Sequence, residues 1–600
     1  MANSDDQAMN YPMGEWATLV AMCRDRAAEE PDRKNFSFLG DGAEETDSLT
    51  LAGLDQRARA IALRLSEVAE PGARALLNYP PGLDFISAFF GCLYAGVIAV
   101  PIAPLGGARD ASKLSRVAAI TASCKPQVLM GTAALLASID GTARVGGGLD
   151  GLVELPTDDV DLSLARQWTG PDIAPDTVAY LQYSSGSTGL PKGVVITHDN
   201  VLSNLALIHQ NGAREDGQAS AAVVLWLPLF HDMGLVNAVL QPLFVGYDSI
   251  LMSAQSFVQR PFNWLKAISR AGLAISVAPN MAFDLCVRRI TEEQRAQLDL
   301  SHWHLAAIGA EPVRAETLDR FCEMFEPCGF RRETIFPCYG LAEATVMVSG
   351  GPTGVPPVVL RLDADELANN KAVLAAGGAR TRAVVGCGQI QPTTTLALIA
   401  PATGLPCGPD EIGEIHVSND SVGGGYWEAA ELTERTFHAT LADHPGRHFL
   451  RTGDLGFVRD DQLFVTGRLK DMIILDGMNY YPHDVELTVS NAHPLIREGF
   501  CCAFSVEDGR QEKLTVLAEL SRPRHQREEA DTPASERTAP HFAEVRAAVS
   551  QAVTAQHGIR VHEVVLLKPG TLPFTSSAKI QRIESRTRLQ SGTFDDKRLA

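Results

Sequence analysis

Residues 183–194, YSSGSTGLPKGV, gather hydroxyl groups, glycines and one lysine into a single short run, a composition suited to gripping phosphate. Ser184, Ser185, Ser187 and Thr188 offer hydroxyl donors, while Gly186, Gly189 and Gly193 let backbone N–H groups approach an anion closely. Lys192 adds a positive charge. A P-loop ends in Gly-Lys-Ser/Thr, whereas here Pro191 precedes Lys192 and Gly193 follows it, so this is a nucleotide loop of another kind. Standing alone, such a run also reads as a flexible Ser/Gly turn.

Other polar residues stand where apolar runs end. LPLFHDMGL (residues 227–235) sets His231 and Asp232 directly after an apolar strand pattern, and IGAEPV (308–313) and FPCYGLAEAT (336–345) each close a strand with glycine and a carboxylate. RTGDLG (451–456) and GRLKD (467–471) bring Asp454 and Arg468 near one another in sequence, and LPFTSSAK (572–579) presents a late lysine, Lys579.

These residues need a scaffold, and the sequence describes one. Apolar runs such as ARALLNY, PQVLMG, TVAYLQY, AAVVLWLP, LAISVAPN and HLAAIGA alternate with helix-period segments such as residues 51–69. That alternation predicts an α/β fold with largely parallel sheets flanked by helices. The phosphate run follows TVAYLQY and precedes the helix signal NVLSNLALIH, the order expected of an anion site at a strand's carboxyl end. After about Val384 the pattern turns to shorter strands with turn residues, predicting a small β-rich subdomain. From Gly467 a further α+β module runs to the C-terminus, which divides the chain into residues 1–467 and 468–600, the second a small mobile domain. Residues 521–540 within it are polar and proline-containing, a solvated loop or a disordered insertion.

Composition narrows the function classes. A 600-residue chain with 45% hydrophobic and 21% charged residues is globular, and its net charge of −20 disfavours nucleic acid and anionic membrane as general partners. Eleven scattered cysteines without CxxC spacing, and an N-terminus lacking a secretory apolar core, fit a cytoplasmic enzyme. Residues 85–108 carry no charge and are long enough to span a bilayer, but Gly91, Gly96, Pro101 and Pro104 divide them. They predict a buried helix to about Gly96 followed by a buried strand, with no integral membrane segment.

Taken together, the ordered motifs resemble those of the adenylate-forming superfamily of acyl-CoA synthetases, luciferases and nonribosomal adenylation domains, from about residue 15 to residue 588. Within it the phrases YPPGLDFISAFFGCLYAGVIAVP, LPLFHDMGL, APNMAFDLCVRRI, GAEPVRAETLDRF and GMNYYPHDVE are most similar to fatty acyl-AMP ligases. The resemblance implies ATP-dependent conversion of a fatty acid to its acyl-adenylate with release of pyrophosphate, work done by charge neutralisation and alignment. It implies that Ser184, Ser185, Gly186, Ser187, Thr188, Gly189 and Lys192 hold the β- and γ-phosphates, and that Thr188 and Glu343 flank Mg²⁺. It further implies that Asp454, assisted by Arg468, receives the ribose hydroxyls, and that Gly309, Ala310, Glu311, Tyr339, Gly340 and Leu341 pack on adenine. Lys579 would bridge the carboxylate and the α-phosphate, with Ala578 standing beside it where the family usually has glycine. His231 would shape the acyl and phosphate pocket, Lys470 falls at the hinge, and Met233, Gly234, Val236, Asn237, Met281 and Phe283 would line the acyl site.

The acceptor of the acyl group is the open question. Relatives that make acyl-CoA swing the C-terminal domain after adenylation. Residues 351–382 resemble an insertion typical of acyl-AMP ligases that could restrain the swing, and Ile474 stands where several thioester-forming relatives carry a lysine. Both favour transfer to the phosphopantetheine of an acyl carrier protein or a synthase carrier domain. Arg582, Arg586 and Arg588 could form a basic docking face for such a carrier or simply be solvated. The alternatives are an acyl-CoA synthetase, an amino-acid adenylating enzyme using Asp232, and a catalytically silent nucleotide sensor.

Overall fold

The computed structural model describes residues 16–599 except 107–110, 185–190, 213–220, 379, 476–477, 509–510, 522–541 and 576–578. Its apolar runs fold as buried strands. Val178–Ser184, Arg74–Asn78, Val128–Gly131 and Ile98–Pro101 join a six-stranded sheet that is parallel except where Val178–Ser184 pairs antiparallel with Lys192–Thr197. Ala222–Leu225, Ala274–Ala278, Trp303–Ile308 and Ile335–Tyr339 lie side by side in the parallel part of a second sheet. Both faces of these strands are covered, which is why their sequences are continuous apolar runs rather than alternating ones.

The uncharged segment at residues 85–108 is a core element. Helix Asp84–Ala95 ends at Gly96, whose φ of 66° a β-carbon would oppose, and strand Ile98–Pro101 follows. Among the described residues no helix is long and apolar enough to cross a membrane. The helix stays inside because Gly91 admits a neighbour: a methyl there would lie 2.5 Å from Cγ2 of Ile61 on helix Leu51–Ser66.

One expectation changes in the structure: the phosphate run was expected to lie between a strand and a helix, in the order of an anion site at a strand's carboxyl end. Strand Lys192–Thr197 intervenes before helix His198–Gly212, so the run is the connection of a hairpin with Ser184 opposite Lys192. Six extended residues separate the helix N-terminus from the loop by roughly 20 Å, and the helix dipole plays no part there. The part beyond Val384 is β-rich as expected: its strands Thr381–Ile390, Thr395–Ile399, Gly413–Ser418, His448–Arg459 and Gln462–Arg468 are antiparallel and continue the second sheet through Ser349–Gly350.

The C-terminal part has its own three-stranded sheet, Ile496–Asp508, Gln511–Leu520 and Val561–Leu567, packed with helices Pro482–Ala492 and Phe542–His557 around Val485, Val516, Val545 and Val549. The polar stretch at 521–540 lies almost wholly outside the described residues. Within residues 351–382, the stretch expected to be an insertion, lie strand Val359–Asp363 and helix Ala364–Ala368, and Leu362, Leu367 and Ala372 are buried with Ile412 and Phe457.

Candidate active site

The phosphate hairpin is held on both flanks. Gly193 lies against the ring of Tyr183, where a methyl group would come within 2.8 Å of Cζ, and the Tyr183 hydroxyl donates to Ser123 Oγ at 2.9 Å. Ser185, Gly186, Ser187, Thr188 and Gly189 lie outside the described residues, so the hairpin is described up to Ser184 and from Pro191 onward. Lys192 opens the second strand with its Nζ 5.1 Å from the ring centroid of Tyr426. Burial pushes its ammonium down from the usual lysine range, Lys470 and Arg435 add to that, and Glu343 opposes it.

Glu343 sits in the short turn Ala342–Ala344, and its Oε1 accepts the Tyr426 hydroxyl at 2.8 Å. The turn is tightly constrained. A methyl at Gly340 would lie 1.6 Å from the Val346 carbonyl oxygen, and Thr345 holds φ at 66°, stabilised by its hydroxyl donating to Ser421 O at 2.7 Å. A second non-glycine residue with positive φ, Ala310 at 68°, follows strand Trp303–Ile308, and Gly309 beside it packs against Cys338. Strained backbone of this kind collects where geometry serves function. Glu311 Oε1 is buried with no hydrogen-bond partner among the described residues.

Asp454 is the best-fixed carboxylate here. Strands His448–Arg459 and Gln462–Arg468 place it directly opposite Arg468. Its Oδ1 accepts from Arg468 Nε at 2.9 Å, its Oδ2 from the Tyr339 hydroxyl at 2.8 Å, and its backbone N–H donates to Thr452 Oγ1 at 3.1 Å. The Asp454 charge raises the guanidinium of Arg468, and burial followed by that same charge pushes the Tyr339 phenol up. Tyr339, Gly340 and Leu341 thus border one side of the site, and Arg468, with a side chain 60% exposed, remains open to a ligand.

Lys579 arrives from the far end of the chain. Its loop is closed by Thr575 N–H donating to Lys579 O at 2.8 Å and Lys579 N–H donating to Thr575 Oγ1 at 3.0 Å, while Ser576, Ser577 and Ala578 lie outside the described residues. Burial depresses its ammonium and Arg468 adds to this, with Asp232, Glu311 and Asp454 pulling the other way. The five groups therefore share one electrostatic neighbourhood although they come from five segments. Burial pushes the Asp232 carboxyl up, a rise that the Met233 N–H donating to it at 2.7 Å and the Lys579 charge oppose. His231, at the N-cap of Asp232–Leu235, is pushed down to about 3 by burial, with the Arg116 and Lys579 charges adding to it, so it is neutral at ordinary pH.

The apolar residues divide. Met233 and Met281 are partly buried, Gly234 and Val236 are buried, and a methyl at Gly234 would meet the Pro228 carbonyl oxygen at 2.1 Å. Asn237 turns its amide back to Met233 O at 2.9 Å. Phe283 sits apart from the expected acyl lining. It is 1% exposed inside an aromatic cluster with Trp264, Trp303 and Phe321, because its place on helix Asn280–Arg289 turns it toward helix Ala315–Phe325. Lys470 lies exposed in the turn after Gln462–Arg468.

Sequence reasoning missed Tyr426; the aromatic residue following GGG in SVGGGYW carried the signal. It also offered Arg582 and Arg588 to a docking face, and the structure pairs them internally. Arg582 donates to both oxygens of Glu486 at 2.7 and 2.6 Å and to Asp471 at 2.9 Å, and Arg588 pairs with Glu584 at 2.7 Å.

Residues 368–382 touch the C-terminal part through polar contacts. Arg382 lies 4.2 Å from the Tyr481 ring and pairs through Nε with Asp484 at 2.9 Å, and its Nη2 stands 2.6 Å from His483 Nε2. Asn479 Nδ2 donates to Ala368 O and to Asn370 Oδ1, both at 3.2 Å. Ile474, 48% exposed on strand Ile473–Leu475, points no charge toward the site.

Residues 23–427 match the AMP-binding enzyme family, and residues 470–596 match the AMP domain of Disco-interacting protein 2-like proteins. Among similar proteins is the medium-chain-fatty-acid–acyl-carrier-protein ligase JamA of Moorena producens, 41% identical over 97% of this chain and 96% of its own length. The long-chain-fatty-acid–AMP ligase FadD23 of Mycobacterium tuberculosis is 36% identical, covering 94% of this chain and 95% of its own. A crystal structure of a Legionella pneumophila fatty acyl-adenylate ligase in complex with acyl adenylate and pyrophosphate superposes with a TM-score of 0.73 at 35% identity, over 96% of both chains. A further structure, from a study of fatty acyl-adenylate ligases of E. coli and L. pneumophila, gives a TM-score of 0.82 at 31% identity over 97% of this chain and 99% of that one.

Proposed function

The chain belongs to the AMP-binding enzyme family, and from that premise we propose that it is a fatty acyl-AMP ligase which passes its acyl group to a phosphopantetheine thiol on a carrier protein. In the first half-reaction a fatty carboxylate oxygen bonds to the α-phosphorus of ATP and the bond from that phosphorus to the β-bridging oxygen breaks, releasing pyrophosphate. In the second, the thiol sulfur bonds to the acyl carbon, the bond from that carbon to the AMP phosphate oxygen breaks to release AMP, and the thiol proton passes to solvent.

The observation that carries this reading is Lys579 lying in one field with Asp232, Glu311, Asp454 and Arg468. Two anions, the fatty carboxylate and the α-phosphate, must meet, and a cation between them offsets their repulsion as charge shifts onto the leaving group. Asp232 and Glu311 keep Lys579 oriented between substrates. Neutral His231 lines the carboxylate site without adding a positive charge that would trap the substrate in its ground state. Asp454 receives the ribose hydroxyls, and Tyr339 with Arg468 fixes its direction.

Among the described residues no cluster of three or more His, Cys, Asp or Glu could cage a metal. A single carboxylate, Glu343, together with the Thr188 hydroxyl is the donor set suited to Mg²⁺ held chiefly by phosphate oxygens and water. When bound, Mg²⁺ would neutralise charge on the departing pyrophosphate.

Two features support a carrier protein over CoA as acceptor. The insertion is fastened to the C-terminal part through Arg382 and Asn479, and JamA is itself named as a ligase to an acyl carrier protein. The test is to supply ATP, Mg²⁺ and a series of fatty acids, with and without CoA and a phosphopantetheinylated carrier protein, and to identify products by mass spectrometry. Acyl-adenylate and acyl-carrier are expected. Abundant acyl-CoA would overturn the choice of acceptor, and no pyrophosphate release with any acid would overturn the reaction.

A further inference from the structure

We infer that Tyr426 is a positioning residue of the phosphate site, setting at once the carboxylate of Glu343 and the ammonium of Lys192; the inference rests on the adenylation reading above. Tyr426 ends residues 421–426, a segment laid across two parts of the site. Toward the phosphate hairpin, Val195 N–H donates to Gly425 O at 2.9 Å, Gly424 N–H donates to Val195 O at 2.9 Å, and the following Trp427 N–H donates to Gly193 O at 2.8 Å. Toward the Ala342–Ala344 turn, Gly423 N–H donates to Glu343 O at 3.0 Å and Thr345 Oγ1 donates to Ser421 O at 2.7 Å. The segment therefore ties two pieces of chain about 150 residues apart in sequence into one rigid frame.

The Tyr426 side chain uses that frame. Its hydroxyl donates to Glu343 Oε1 at 2.8 Å, which fixes the plane of the carboxylate and the direction of its second oxygen. Its ring face lies under Lys192 Nζ at 5.1 Å, a cation–π distance. From behind, Phe437 of helix Ala430–Phe437 meets the ring edge-on at 5.1 Å, and Tyr426 N–H donates to Thr433 Oγ1 at 2.9 Å. Lys192, pushed down by burial and by Lys470 and Arg435, is offset by Glu343 and by the electron-rich ring face. One side chain thus separates the anion and the cation that flank the phosphate loop, and prevents them from collapsing into a direct ion pair that would exclude a ligand.

Tyr426→Phe tests this, because it keeps the ring under Lys192 and against Phe437 and removes only the hydroxyl. Calorimetric titration with ATP in the presence and absence of Mg²⁺ is the primary readout, alongside thermal unfolding. We expect Kd for ATP with Mg²⁺ to rise about tenfold, Kd without Mg²⁺ to change less than about twofold, and the unfolding temperature to stay within about 2 °C. Tyr426→Leu, which also removes the ring, should weaken both titrations. In a Glu343→Gln background Tyr426→Phe should add less than about twofold, since the two residues act through one contact. Unchanged Mg²⁺-dependent binding in Tyr426→Phe, or full multiplication of the two single effects, would overturn the inference. The titration contains no fatty acid, so variants that show these binding effects, alongside a wild-type protein that releases no pyrophosphate with any acid, refute the adenylation reading while the positioning role stands.

Discussion

Asp454→Asn separates a ligand-binding carboxylate from a structural ion pair. The wild-type side chain is 6% exposed and accepts from Arg468 Nε at 2.9 Å and from the Tyr339 hydroxyl at 2.8 Å. Asparagine keeps the size and one acceptor. That oxygen serves Arg468, which can only donate, and the new NH₂ faces Tyr339, whose hydroxyl rotates to accept. No buried group is orphaned, so the stability loss is the difference between a charge-assisted and a neutral hydrogen bond, about 1 kcal/mol. The exposure of the Arg468 side chain, 60%, screens the pair and keeps the loss near that value or below it. For a chain this long the unfolding temperature should fall by less than about 3 °C.

ATP binding should respond far more. Ribose hydroxyls donating to a carboxylate lose a charged acceptor worth about 1.5–3 kcal/mol, roughly a 10- to 100-fold rise in Kd. Calorimetric titration with ATP and a thermal scan on the same preparation give both numbers. A large fall in unfolding temperature with unchanged ATP affinity would refute the reasoning and make Asp454 a structural residue. Asp454→Ala, which leaves the buried Tyr339 hydroxyl without its acceptor, should add about 1–3 kcal/mol of destabilisation to the same binding defect.

Lys579→Ala should lower acid-dependent pyrophosphate formation by about two to three orders of magnitude while ATP affinity changes only a few-fold, because its contact is to the reacting centre; equal losses in both would contradict this. Arg382→Ala combined with Asn479→Ala loosens the insertion from the C-terminal part without exposing Leu362, Leu367 and Ala372, which deleting residues 351–382 would do. If that attachment restrains the swing, acyl-CoA should rise about tenfold over wild type in a mass-spectrometric product assay, and no rise would remove the insertion from the explanation. His198 is buried, accepts the Leu19 N–H at Nδ1, and burial pushes it down to about 4 from 6.5. Its contribution to stability is therefore full above about pH 6.5 and lost as pH falls through about 4. By pH 5 the loss is about 2 kcal/mol. His198→Asn should flatten the acid side of a denaturation-midpoint profile by that amount, and an unchanged slope would place the acid sensitivity elsewhere.

Much of this protein is legible along the chain because its strands are short, apolar and closely followed by the residues that do chemistry. TVAYLQY, LAISVAPN and HLAAIGA form buried strands as their apolar runs require, and residues 85–108 form helix Asp84–Ala95 and strand Ile98–Pro101 where Gly96 breaks them. Local patterning decides these, since period and breaker residues act within a few positions. The phosphate run misled in one respect: KGVVITHDN reads as the approach to a helix, yet its residues pair with Val178–Ser184, and Val195 also bonds to Gly424 and Gly425. Strand pairing is non-local and leaves little trace in a single segment.

What can be read along the chain is the inventory: a run suited to phosphate, a carboxylate at 343, Asp454 and Arg468 near one another in sequence, and a late lysine. How they act on one another is set by the fold. Lys579 gains its depressed ammonium from burial beside Arg468, and Glu343 gains its orientation from Tyr426. Phe283 is drawn into the aromatic core with Trp303 and Phe321, and Arg582 is claimed by Glu486 and Asp471. The reason is common to all four. Residue type fixes what a side chain can do, but desolvation, charge proximity and hydrogen-bond direction depend on neighbours that the chain brings together across hundreds of positions.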